Sequence, residues 1–133
     1  MKRSIEELLE KPYWILDVLP EQVKRDSPGQ FFAVERYFLE PSRLAAVKEN
    51  HVRTILKLNC YRSLSLDEGT ETNPPPEEIA KAVRTRHVCL LVDDAMIVSD
   101  PDELYLTVYD PDESLLTLLR ALAVGEGLYL WKP

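Results

Sequence analysis

Between Val88 and Leu119 the chain has no lysine or arginine, although eight of its acids fall there. Residues 61–133 carry six cations against fourteen acids, and residues 1–60 carry ten against nine. The net charge of −7 therefore belongs to the second half of the chain. A surface of that sign cannot replace the counterions of a phosphate backbone, which excludes nucleic acid as its partner. A basic protein is the complementary kind of partner.

Long apolar runs are missing too. None approaches the roughly 20 residues that span a bilayer, so no membrane segment is expected. The opening MKRSIEELLEK has no apolar h-region and does not read as a signal peptide. Cysteine and histidine are scarce, at two each. His87-x-Cys89 would put two ligands on one strand face, but neither it nor His51 with Cys60 has zinc spacing. Cys60 and Cys89 both fall in expected strands, so two buried, unpaired thiols in a reducing compartment are expected. The sequence reads as a cytoplasmic, bacterial-type protein without metal or cofactor. The four glycines make no phosphate cradle, since Gly125-Glu126-Gly127 is too short and too acidic.

What is present centres on His87–Asp112, HVCLLVDDAMIVSDPDELYLTVYDPD. Val88 to Val92 is apolar on both alternating sets, as in a strand buried on both faces. Asp93-Asp94 breaks it, Ala95 to Val98 is a second short run, and Ser99-Asp100-Pro101-Asp102 is a stronger break. Leu104, Leu106 and Val108 alternate with Tyr105, Thr107 and Tyr109, aliphatic on one face and aromatic-polar on the other. Connections this short predict antiparallel neighbours.

Elsewhere, Ser4 and Glu7 form a capping box for a helix over Ser4–Lys11 with Ile5, Leu8 and Leu9 on one side. YWILDVL, Tyr13 to Leu19, is a strand interrupted only by Asp17. FFAVERYFLE suits a strand with aromatics on both faces, or a helix with Phe31, Val34 and Phe38 in one stripe. Ser27 as N-cap and Pro28 at the first helical position favour the helix. Pro41 breaks or kinks it, and SRLAAVKE is again helical, with Asn50 as its stop. Val52 to Cys60 alternates as a strand with Arg53 and Lys57 on a cationic outer face. A helix continuing through His51, Ile55 and Leu58 is the rival, and the β-branched Val52, Thr54 and Ile55 favour the strand. Asp67–Pro76 is an acidic loop. A helix follows it with Ile79 and Val83 inward and its cations near the C-terminus. Asp110 is expected to cap a last helix, with Pro111 first and Leu115, Leu118, Leu119 and Leu122 buried. Leu128 to Trp131 is a last short strand.

The strings YWILDVLP, SPGQFFAVERYFL, ILKLNCYR, LVDDAMIVSDPDELYLTVYDPDE and AVGEGLYLWKP resemble a family of small uncharacterised bacterial proteins, over nearly the whole chain. The resemblance brings no activity, cofactor or functional residue with it.

The expected fold is α+β or α/β. It is one globular domain over 1–133, with a mixed, largely antiparallel sheet of about five strands and helices packed against it. The functional expectation is a non-enzymatic protein-binding module, immunity- or antitoxin-like. Asp93, Asp94, Asp100, Asp102 and Glu103 would form its acidic docking surface for a basic protein partner. Two alternatives stand beside it: a small carboxylate-dependent enzyme using a divalent ion, and a homo-oligomeric structural protein. Trp14 and Trp131 are candidate anchors near the ends of terminal strands.

Overall fold

The computed structural model describes residues 4–67, 69 and 71–133. Positions 68 and 70 of the expected acidic loop, and 1–3 of the opening, lie outside them. Along the chain run α1 (Ile5–Leu9), β1 (Tyr13–Asp17), α2 (Gly29–Leu39), α3 (Pro41–Asn59), β2 (Leu64–Leu66) and α4 (Pro76–Thr85). Then come β3 (Val88–Val92), β4 (Ala95–Ser99), β5 (Tyr105–Tyr109), α5 (Glu113–Gly125) and β6 (Tyr129–Trp131). The described strands form one sheet of six, in the order β2-β3-β4-β5-β1-β6. Every pairing is antiparallel, which makes the fold α+β.

Register gives each face its character. Leu90, Ile97, Val108 and Trp14 stand side by side across β3, β4, β5 and β1. With Leu16, Leu106 and Val88 they form the face that packs on α3, α4 and α5, through Ile55, Leu58, Val83 and Leu119. On the other face α1 lays Leu8 over Cys89 and Met96. The groove described below lies on the remainder of that face, over β5, β1 and β6. α1 is capped as expected: Ser4 Oγ accepts the Glu7 amide at 3.2 Å. Leu9 nevertheless turns outward.

The expected strand at Val52–Cys60 is not there. Pro41 to Asn59 is a single helix of 19 residues, with Pro41 in its first turn and Glu40 accepting the Arg43 amide. Val47, His51, Ile55 and Leu58, spaced at three or four, are buried along one stripe with Val52 beside them. Burying that stripe in the core outweighs the few tenths of a kcal/mol by which β-branched residues disfavour a helix. Asn50 is thus interior. Arg53 and Lys57 lie one turn apart on the wet side and both reach Glu126, at 2.7 and 2.6 Å. Cys60 caps the helix end and is exposed, so only Cys89 is the buried thiol expected. The sixth strand, β2, is only three residues long and pairs with β3.

Two caps also move. Pro28, not Ser27, is the N-cap of α2, and Ser27 Oγ instead accepts the Lys24 amide at 2.7 Å. The cap of α5 is Asp112, whose carboxylate accepts the Leu115 amide at 2.8 Å. Asp110 is left-handed, with φ 52°, and its amide donates to the Pro12 carbonyl at 2.8 Å. Either aspartate could start a helix. The pairing of Tyr109 with Tyr13 keeps the chain extended to 109 and leaves Asp110 in the turn.

Three measurements check this description. Asp112→Ala is expected to cost about 1 kcal/mol in urea denaturation, the ordinary worth of a lost N-cap. Leu58→Ala, at a fully buried helical position, should cost about 2–5 kcal/mol. A thiol reagent should label Cys60 in the native protein and reach Cys89 only on unfolding.

Candidate functional site

The acids singled out in the sequence do not share one surface. Asp93 and Asp94 form the turn from β3 to β4, and Asp100, Asp102 and Glu103 lie in the turn from β4 to β5. A strand of five residues separates the two turns, about 17 Å of extended chain. At the first end Asp93 is paired with Arg62 at 2.9 Å. That end also gathers Asp94, Asp110 and Asp112 around a small hollow of about 210 Å³.

The second end is held from beneath. Lys48 of α3 is buried, and its ammonium donates to Ser99 Oγ at 3.1 Å and to the Asp100 carbonyl at 2.9 Å. Burial pulls the Lys48 pKa down to about 8, against the opposing pull of Asp100, Glu103 and Asp102. One turn on, His51 Nε2 donates to the Leu104 carbonyl at 3.2 Å, leaving buried Nδ1 with no partner among the described residues. Burial, then the Lys48 charge, pushes His51 down to about 3, so the ring is neutral. Asp100 Oδ1 accepts the Asp102 amide at 2.9 Å, the local bond that makes aspartate a turn former. α3 thus fixes the turn backbone, and the Asp102 and Glu103 side chains are left outside.

Beside this turn lies an open groove of about 400 Å³ on the face away from α3, α4 and α5. The register builds its floor: Asp17 is paired with Tyr105 and Tyr129, Ile15 with Thr107 and Trp131, and Tyr13 with Tyr109. Glu35 of α2, with Gln22 and Val23 of the preceding loop, adds a wall. The Tyr13 and Tyr109 rings sit 5.5 Å apart. Trp131 is fixed by its indole N–H, which donates to the Leu19 carbonyl at 3.1 Å. No lysine, arginine or histidine is among the described residues that line the groove.

Asp17 is the unusual member. It is 6% exposed, and one carboxylate oxygen accepts the Leu19 amide at 3.1 Å. Burial raises its pKa to about 6; the Leu19 and Val18 amides oppose this and Glu35 adds to it. Burial also raises Glu103, with Asp100, Asp102 and Glu35 pushing the same way. Tyr105 is raised by burial and by Glu103, Asp17 and Asp100. Three of the five acids expected from the sequence therefore share one field with Asp17 and Glu35, and Asp93 and Asp94 stand apart. The signal for Asp17 was present in the sequence, as the one acid within YWILDVL. Nothing in the sequence placed Glu35 or Lys48 beside it.

The other candidates separate. His87 is exposed ahead of β3, Cys89 is buried under α1, and Cys60 ends α3. Among the described residues no three His, Cys, Asp or Glu side chains are grouped to hold a metal ion. Trp14 lies on the helix face, with Arg120 and Lys132 5.4 and 5.8 Å from its ring. Among the described residues no helix is long and apolar enough to cross a membrane. In comparison with known proteins, no family model, no curated protein and no solved structure matches the chain.

The buried carboxyl sets a pH dependence. Folded Asp17 keeps its proton to higher pH than the unfolded chain does, so this group favours the fold most in acid. That advantage is lost as pH rises from 3.8 through about 6, and at neutrality the ionised form costs on the order of 2–3 kcal/mol. Asp17→Asn keeps the acceptor for Leu19 and removes the charge. It is expected to raise Tm at pH near 7.5 and to raise it less near 4.5; an equal or opposite change at the two pH values would contradict the assignment.

Proposed function

We propose that the protein is a non-enzymatic binding module of the bacterial cytosol that docks a basic protein partner, in the manner of an immunity or antitoxin protein. Its docking surface is the groove over β5, β1 and β6 together with the Asp100–Glu103 turn. The observation that carries this reading is the composition of the groove: Asp17 and Glu35 among Tyr13, Tyr105, Tyr109 and Trp131, with no cation among the described residues that line it. Aromatic faces and unneutralised carboxylates attract the same kind of ligand, a cation on a partly apolar stem. Tyrosine and tryptophan are also the residues that anchor protein interfaces. Acids that repel one another weaken an isolated fold, and a basic partner turns that repulsion into faster and stronger association.

One observation favours a second reading, a carboxylate-dependent enzyme. A carboxyl that keeps its proton to about pH 6 inside a groove is what a general acid requires. The groove's aromatic walls and open form fit docking better than an enclosed reaction.

The test is a titration with a blocked peptide rich in lysine and arginine, followed by the NMR signals of the groove residues at low and high salt. Binding is expected to shift the Tyr105, Tyr109 and Trp131 signals and to weaken as salt rises. Changing Asp100, Asp102 and Glu103 together to lysine should weaken it further, and changing Asp93 and Asp94 to lysine should not. Equal binding by both variants at both salts, or shifts confined to the Asp93 end, would show that the groove is not the docking surface.

A further inference from the structure

A second hollow, of about 690 Å³, lies where the start of α3 meets the β4–β5 turn. Leu39, Pro41, Leu44 and Ala45 give it an apolar wall on one side, and Pro101 adds to it from the turn. Lys48 lines it too. A helical side chain leans over the turn before its own, which lays the Lys48 stem across Leu44 and Ala45. Pro101 and Asp102 directly follow the Asp100 carbonyl that the Lys48 nitrogen meets. The hollow therefore follows Lys48 from stem to tip. An ammonium has three donors. Two go to Ser99 Oγ at 3.1 Å and the Asp100 carbonyl at 2.9 Å, and the third has no partner among the described residues. A buried ammonium that only clamped the turn would use all three. Lys48 can instead lose the unmatched proton and keep both bonds, with its lone pair in the third position. Burial favours that loss and brings the pKa to about 8, against the pull of Asp100, Glu103 and Asp102. Of the other groups nearby, His51 is neutral, and Glu49 and Arg84 are paired with each other at 2.6 Å. Near pH 7.5 a sizeable fraction of Lys48 is thus neutral, where an ordinary lysine is almost wholly charged.

We propose that this hollow binds an aldehyde with an apolar chain, which Lys48 captures as an imine. The site shares no lining residue with the groove, so it stands apart from the docking reading. The chain of the ligand lies along Leu39, Pro41, Leu44 and Pro101, and its carbonyl carbon meets the Lys48 nitrogen. A desolvated lysine amine is the usual partner of a carbonyl in such chemistry. The lone pair forms the C–N bond while the carbonyl π electrons pass to oxygen. Both amine protons then move to that oxygen, which leaves as water as the C=N bond forms. Nothing is oxidised or reduced. Ser99 Oγ, already bonded to the nitrogen, both accepts and donates, which suits it to pass a proton to the departing oxygen. Once protonated, the imine nitrogen keeps one N–H for the Asp100 carbonyl. An aldehyde is favoured over a ketone because a nitrogen held on two sides has little room for a second chain.

The probe is hexanal, incubated with the native full chain and followed by a borohydride quench that fixes each imine as a secondary amine. The modified lysines are mapped by mass spectrometry. At pH 7.5 Lys48 should carry about tenfold more label than Lys24, Lys57 or Lys81, as its larger neutral fraction implies. Its label should rise with pH through about 8, and label on the others only toward the ordinary lysine range. Acetaldehyde, which has no chain to bind, should show no such preference. Ala45 is exposed and lines the hollow, so Ala45→Trp should fill the space and remove the preference for Lys48 while the thermal transition stays in place. Equal labelling of all the lysines by hexanal, or labelling of Lys48 only after unfolding, would overturn the proposal. Labelling of Lys48 by acetaldehyde as readily as by hexanal, or unchanged by Ala45→Trp, would show a reactive amine without a binding site and overturn the assigned ligand.

Discussion

Strand β1 comes early in the chain yet lies between two late strands, β5 and β6. The groove depends on that insertion and on its register. Tyr13, Ile15 and Asp17 lie on the groove face beside the tyrosines of β5, and Trp14 and Leu16 face the helices. A slip of one residue would reverse every side chain. It would take Leu16 out of the helix-packed core and drive the already buried Asp17 against the apolar faces of α3 and α5, without the Leu19 amide to meet it. Hydrophobic burial and charge burial therefore demand the same register. The wall carrying Asp17 is fixed by the core behind it.

The end of the sheet that holds the groove also holds three buried groups that strain against burial: Asp17, Lys48 and His51. Each answers a local need. Lys48 satisfies the Asp100 carbonyl and Ser99, His51 satisfies the Leu104 carbonyl, and Asp17 satisfies the amide that ends β1. α3 fastens the β4–β5 turn from inside, and the turn carries Asp102 and Glu103 outside with Asp100 half-buried. The opposite end uses another device, in which Arg62 crosses to Asp93 and donates to Ser114. One end thus has a cation, Arg62, bonded to one of its surface carboxylates, and the other has its cation, Lys48, beneath the turn backbone.

Much of the fold was legible locally. The period of two in Leu104–Tyr109, the breaks at Asp93-Asp94 and Pro101, and the Ser4–Glu7 box each carry their structure within a few residues. The misreadings share a physical origin. Val52–Cys60 satisfies two periods at once, and only the packing of Ile55 and Leu58 in the core chooses between them. Asp110 and Asp112 are both competent caps, and a strand pair formed with the far end of the chain chose the second. The site was legible in part for the same reason. The acids were visible, but whether two turns lie on one side of a molecule depends on the direction of the strand between them.

By itself the sequence determined the strands and helices outside Val52–Leu66, the acidic sign of the second half, and the aromatic-polar face of β5. These follow from side-chain type and spacing over a few residues, which the chain carries wherever it goes. Only the tertiary structure decided that Asp17 and Glu35 join Glu103, that Asp93 does not, and that Lys48 and His51 stand beneath the turn. Those relations come from contacts between residues 18 to 68 positions apart, as with Glu35 and its two partners. Burial of the common core sets them, because no local rule carries a charge's surroundings.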